Sequence, residues 1–437
     1  MTDPHRNTYD PLTPVPVGLR AFTGRDAFGL WFSLGIGLLV LQAGSLLTPG
    51  LSLATALAAI VVGSAIGVTL LAATSVIGAD TGLASMASLR PVLGIRGAAV
   101  PTVLNGLQLV GWGAFEIIVM RDVADMLTRQ TFGTSSAVAW TLVFGALATA
   151  LAVIGPLSFV RRFLRRYGLP LLLVGGAWLT WNLLATVDFP ALFARSGTGA
   201  LGFGTAVDLV VAMPLSWLPL IADYTRFGNS PRAMFRGTAL GYFLANVWFY
   251  GLGATYALAS GGSGEGMLIA ALAMAGGGAA LLLIIIDETD NVFADVHSAA
   301  VSAATLVRLP VQTLAVVFGA ICTALALFVP FASYEMFLLL IGSLFASLFG
   351  VMLVDHFHVR RRHIDAPALT LRDGPYWFAG GFNPLGIAAW LLGVASFHAI
   401  SSLAPWIGAT VPALLIAATS YLLLVSILGA PRPSPAR

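Results

Sequence analysis

An all-α polytopic membrane protein of about twelve transmembrane helices is the fold class that this sequence predicts. Three observations carry that expectation. The first is composition: 58% of the 437 residues are hydrophobic and 9% are charged, where an ordinary soluble domain carries about 25% charge. The second is the spacing of apolar runs. They fall at 28–48, 53–77, 99–120, 136–156, 168–187, 203–222, 237–259, 267–290, 311–330, 334–354, 384–400 and 404–428, each near the ~20 residues that a helix needs to cross a bilayer. The third is charge placement. All 22 basic residues are arginine, and with the N-terminus inside only Arg121, Arg129 and Arg195 fall in outside segments. That asymmetry obeys the positive-inside rule, and a missed span would scramble it.

The elements follow in order. Residues 1–27 form a polar, Pro-rich cytoplasmic tail with no apolar core preceding a cleavage site, so the first span itself directs insertion. Residues 28–187 hold five spans and 203–354 hold five more. A cytoplasmic loop, 355–383, leads to two peripheral helices within 384–428 and a cytoplasmic tail, 429–437. The first span contains Gly35, Gly37, Gly44 and the polar Gln42; the sixth contains Pro214 and Pro219 around Ser216-Trp217. Breakable helices five spans apart suit a five-plus-five inverted repeat whose binding site lies at the midplane. Gly and Pro are also simply common in membrane helices. The lone cysteine, Cys322, lies in an apolar run and has no partner in the chain; it reads as a small buried hydrophobe.

Acidic groups inside the apolar segments are the chemical signal. An ionised carboxylate at bilayer depth costs at least ~2.5–3.5 kcal/mol and is kept where it meets a cation, a polar solute or a water-filled path. Glu116 follows Trp112 by four residues and Gln108 precedes it by four, so the three share a helix face. An aromatic plate beside a hydrogen-bond acceptor suits a flat, nitrogen-rich ring. A Trp packed within a bundle and a Glu satisfied by a neighbouring helix is the alternative. Asp287, Glu288, Asp290 and Asn291 end the eighth run. Asp287, Asp290 and Asn291 lie within one turn on one face, with Glu288 about 100° away. Either they line a cation site, or the helix emerges into water near Asp287; the moderately apolar stretch from Val292 to Leu306 then continues the helix beyond the membrane.

Three motifs in register carry a resemblance. Gly78-Ala79-Asp80-Thr81-Gly82-Leu83 to Arg90, then Leu93-Gly94, Gly97 and Gln108 to Gly111-Trp112, resembles the second-to-third-span region of the nucleobase:cation symporter family 1. Asp223-Tyr224-Thr225-Arg226-Phe227 resembles that family's Pro-Asp-aromatic-Thr-Arg-aromatic motif, with Ala222 where Pro is usual, and Asp290-Asn291 fits a third position. The resemblance spans roughly residues 25–425 and is nearest to the branch of hydroxymethylpyrimidine transporters, relatives of the cytosine permeases.

The resemblance implies a LeuT-like fold: a 5+5 inverted repeat plus two peripheral helices. It implies cation-coupled import of a small ring by alternating access, with hydroxymethylpyrimidine, a thiamine precursor, first and cytosine or another nucleobase second. It assigns Trp112 to stacking on the ring and Glu116, where relatives often carry Gln, to hydrogen bonding. A carboxylate accepts and does not donate unless protonated, which favours a ring bearing an amino group. Gln108, Ser216, Trp217 and Asn291 complete the expected solute site. Sodium-coupled relatives carry small hydroxyl residues where this chain has Asp287 and Glu288, so those acids, with the carbonyls of Gly35 and Leu38, form the expected cation site for Na+ or H+. Beyond such a sodium ion no metal is expected, and no organic cofactor. The partners are the ring, the cation and the lipid bilayer of a bacterial inner membrane; nothing suggests nucleic acid. Asp223 and Arg226 read as a local ion pair. Asp355, His356, His358 and His363 read as a solvated inner helix end, not a metal site, since i and i+2 do not share a helix face. Gly261-Gly262-Ser263-Gly264 reads as an outside loop, with no preceding strand to make it a phosphate cradle. No nucleophile–base pair at membrane depth suggests an enzyme.

Overall fold

The structure is a computed structural model, and it describes residues 10–154, 169–261, 277–328 and 334–429. The arginines at 161, 162, 165 and 166, and most of the Gly261–Gly264 loop, lie outside the described residues. The helices are α1 Gly24–Leu34, α2 Leu38–Ser45, α3 Leu53–Thr81, α4 Arg90–Leu93, α5 Ala99–Phe132, α6 Ala137–Ile154, α7 Leu169–Thr186 and α8 Phe189–Ala194. They continue with α9 Phe203–Ser216, α10 Ile221–Thr225, α11 Pro231–Ser260, α12 Gly277–Ala304, α13 Val311–Ala326, α14 Tyr334–Val354, α15 Pro384–Leu403 and α16 Thr410–Leu428. Eight of the described helices or helix pairs are long and apolar enough to cross a membrane, and the bent pair α1/α2 makes a ninth. This is a multi-pass membrane protein. Helices also occupy the remaining expected runs, as α11, α12 and the 16-residue α13.

Local sequence explains where the helices begin and end. Thr23 caps α1 in a reciprocal box: its hydroxyl accepts from the Asp26 N–H and the Asp26 carboxylate accepts from the Thr23 N–H. Ser52 caps α3, and Ser230 caps α11 just before Pro231. At the C-terminal end of α3, Gly82 takes φ 73°, the left-handed cap that glycine adopts without strain.

Small residues bring the first span against α11. A Cβ on Gly44 would meet the Tyr250 backbone, and one on Gly253 would meet the Leu41 carbonyl, so the α2 and α11 backbones touch. α3 packs on α9 and α11, α5 on α12, and α15 and α16 on α14. Two elements differ from expectation. α5 runs to Phe132, past the expected end at 120, with Arg121–Asp122 and Asp125–Arg129 pairs along its added turns. α12 runs to Ala304, and Val292 to Val301 are buried within the protein. The Asp287–Asn291 stretch is therefore near the middle of a long helix.

The 355–383 loop ties α3, α4 and α16 together. Arg362 grips Asp80 with two hydrogen bonds, 2.8 and 2.7 Å, and His356 Nε2 meets the same carboxylate at 3.0 Å. Asp355 accepts from Tyr421 on α16 and from Arg360, and Arg360 also donates to the Pro91 carbonyl. Asp355 and His356 are thus buried, not solvated as expected. No grouping of three or more potential metal ligands occurs among the described residues. Arg90 spans two elements, donating to the carbonyls of Thr305 and Leu369.

Candidate functional site: a cavity at two helix breaks

The first span bends by 55° between Leu34 and Leu38. The sixth is interrupted from Trp217 to Leu220, just past Pro214, whose ring fits the end of a helix better than its middle. Breaking a helix frees backbone groups that must be satisfied within the protein. At the first break Glu288 Oε2 accepts from the Leu38 N–H at 2.9 Å, so the carboxylate caps the N-terminus of α2, where the helix dipole favours negative charge. Asn291 Nδ2 reaches the Ile36 carbonyl at 3.4 Å. Gly37 makes room for this: an added Cβ would lie 2.6 Å from Glu288 Oε2. At the second break the Ser216 carbonyl accepts from Gln108 Nε2 at 3.1 Å.

One cavity lies between the breaks. Its walls are Leu34, Leu39 and Val40 from the first span, Trp112 and Glu116 from α5, Met213, Ser216 and Trp217 from the sixth span, and Glu288, Asn291 and Asp295 from α12. The cavity volume is about 20 Å³. That is little more than one water requires, about 10–15 Å³, so an aromatic ring needs these walls to part. Aromatic neighbours hold the plates: Trp112 meets Phe337 edge-on at 5.3 Å, and Trp217 meets Trp31 edge-on at 5.9 Å. Edge-to-face contact leaves a tryptophan face for stacking.

The expected residues sort clearly. Trp112, Glu116, Ser216, Trp217, Glu288 and Asn291 line the cavity together. Gln108 does not; it is buried behind the wall, bonding Asn105 and the broken sixth span, and Asn105 in turn donates to Ser302 of α12. Leu38 meets α12 through its N–H, not its carbonyl, and the carbonyl that faces Asn291 is that of Ile36. Gly35 closes α1, where its packing partner is Ala245. Asp287 and Asp290 are on α12, but their side chains lie outside those described. Among the described side chains of α12, Glu288, Asn291 and Asp295 line the cavity. These are spaced i, i+3 and i+7 and so form one stripe of a helix. Asp295 escaped sequence reading because the span was ended at 290, although its spacing from Glu288 and Asn291 was visible.

The Asp223 motif is more than a local ion pair: Asp223 lies within Coulombic reach of Arg226, while its hydrogen bonds go to the turn after α3. Asp223 Oδ1 accepts from the Ser85 N–H at 2.9 Å, and the Ala222 N–H donates back to Ser85 Oγ at 2.9 Å. Arg226 Nη1 donates to the Asp10 carbonyl. The end of the sixth span is thereby sewn to the turn after α3 and to the N-terminal tail.

Comparison with known proteins agrees with this architecture. Residues 14–424 match the family described as permeases for cytosine/purines, uracil, thiamine and allantoin. The cytosine permease of Escherichia coli strain K12 is 26% identical over 362 residues, covering 80% of this chain and 79% of that protein. The hydantoin permease of Microbacterium maritypicum is 25% identical over 397 residues, covering 84% and 79%. Among solved structures, Mhp1, a nucleobase-cation-symport-1 family transporter in a closed conformation with bromovinylhydantoin bound, superposes with a TM-score of 0.83 at 22% identity. That match covers 95% of this chain and 96% of Mhp1. A family match over nearly the whole length, on a frame of two broken helices around one cavity, makes this chain a transporter of the nucleobase:cation symporter family 1, not an enzyme.

Proposed function

We propose that the protein imports hydroxymethylpyrimidine across a bacterial inner membrane, in symport with a cation, by alternating access on twelve spans with both termini cytoplasmic. The observation that carries the choice of ring is Glu116. It stands one turn from Trp112 on the cavity wall, where a carboxylate accepts from an exocyclic amino group while the indole face stacks on the ring. A 4-aminopyrimidine offers that amino group; a dioxo ring offers only ring N–H donors. Cytosine carries the same amino group, and curated relatives are named cytosine permeases, so it is the second reading. The cation is assigned to the acidic α12 wall of the cavity, from Glu288 and Asn291 at the first break to Asp295, and Na+ and H+ are both compatible with acceptor oxygens there.

Uptake of labelled hydroxymethylpyrimidine and cytosine in cells without their own carriers tests the ring. Hydroxymethylpyrimidine uptake that cytosine barely competes supports thiamine-precursor salvage; the reverse returns the protein to nucleobase salvage. Glu116→Gln is expected to weaken uptake of either aminopyrimidine about tenfold, the loss of one charge-assisted hydrogen bond. Wild-type kinetics on every ring would remove Glu116 from recognition.

A further inference from the structure

Asp295 is buried at 2% exposure on the cavity wall, and its Oδ2 accepts no hydrogen bond. One turn away, Asn291 Oδ1 is likewise buried without a partner. The cavity is otherwise acidic: Glu116 faces it from α5 and Glu288 from α12, and no Arg, Lys or His lines it among the described residues. The remaining titratable neighbours are no source of positive charge. Cys322 of α13 packs on Gly113 of α5 beside Asp295, and Tyr242 of α11 lies on the Glu116 side. His297 is turned elsewhere, stacked on Phe293 and facing Tyr224. An ionised carboxylate with an unmet oxygen at this depth costs several kcal/mol. Glu288 has the α2 N-terminus to offset its charge; Asp295 has no such cap.

We propose that Asp295 carries a coupling proton. The proposal deepens the transport reading and rests on it. With the cavity open outward, the Asp295 carboxylate takes one proton from water and becomes an O–H donor. That donor and the Asn291 Oδ1 acceptor form a pair matching the amide or amidine edge of a heterocycle. The protonated form therefore binds the ring, and the bare carboxylate faces the ring's acceptor and repels it. Once the cavity opens inward, the proton leaves to water, the donor is lost and the ring dissociates. One proton moves with each ring. The two affinities are reciprocal, because the proton favours the ring as much as the ring favours the proton.

The experiment uses the purified full chain in proteoliposomes, with labelled hydroxymethylpyrimidine and cytosine as probes. An acid-outside pH gradient without sodium is expected to drive wild-type accumulation above equilibrium. Asp295→Asn, which cannot take up or release the proton, is expected to lose that accumulation at least ~10-fold, within the usual range of coupling free energies, and to make its ring binding independent of pH. In wild type, quenching of tryptophan fluorescence by the ring is expected to weaken as pH rises, with no need for sodium. Accumulation driven by sodium alone, pH-independent ring binding by wild type, or undiminished pH-driven uptake by Asp295→Asn each overturns the proposal. Absence of exchange by wild type with any ring, uracil and hydantoin included, defeats the transport reading itself.

Discussion

Glu288 and Gly37 illustrate how one residue sets a helix break. The α2 N-terminus has a glycine cap with no side chain to satisfy its donors, and a carboxylate from a distant helix supplies the acceptor. Gly37 has an extended backbone that any residue adopts, so its requirement is space, not conformation. Gly37→Ala is expected to push the carboxylate off Leu38, at a cost of about 1.5–3 kcal/mol for a charged hydrogen bond. The check is thermal unfolding together with uptake: both should fall, and Glu288→Asp, shorter by one methylene, should restore part of the loss in the double variant. A Gly37→Ala protein with unchanged melting and transport would show that the cap contributes nothing.

At the scale of elements, polar side chains tie neighbouring helices and loops together. Gln108 fastens the broken sixth span to α5, and Asn105 fastens α5 to α12. Arg362 and His356 fasten the 355–383 loop to the C-terminal end of α3 through Asp80. Arg362 is half-exposed, and its guanidinium is held above its ordinary pKa by the Asp80 hydrogen bond. A pair this accessible to solvent is worth about 1 kcal/mol or less. Asp80→Asn is expected to raise hydrogen exchange across residues 355–383 by up to about fivefold, with modest effect on overall melting. Exchange unchanged from wild type would show that the loop is held by its other ties, Arg360 and Arg90.

For the whole molecule, orientation is the testable quantity. Arg20, Arg90, Arg96, Arg226, Arg360 and Arg362 gather on the tail, turn and loop that pack together at one end, the end assigned to the cytoplasm. A fluorescent reporter fused after Arg437 should fluoresce and resist protease added to intact cells. Activity of an alkaline phosphatase fused at the same point would reverse the assignment. The same basic end shows that these arginines are more than topology signals, since Arg90 and Arg226 are buried and spend their donors on backbone carbonyls.

Much of this was legible in the chain. Low charge and apolar runs of membrane length determine a helical membrane protein, because only helices satisfy their own backbone in lipid. Arginine asymmetry predicts its orientation, and the Gly-rich and Pro-containing spans mark both breaks. Trp112, Glu116, Ser216, Trp217 and Asn291 were legible as candidates for a solute site and Glu288 for a cation site; all six line one cavity. What the tertiary structure alone decided is which atoms meet. Helix periodicity says which residues share a face but not how far a helix runs, so ending α12 at 290 hid Asp295. Nor does sequence tell whether Leu38 presents its N–H or its carbonyl, or that Gln108 turns to a backbone and not the cavity. Those outcomes depend on contacts between residues as far apart as Leu38 and Glu288, which only the packing of the helices brings together.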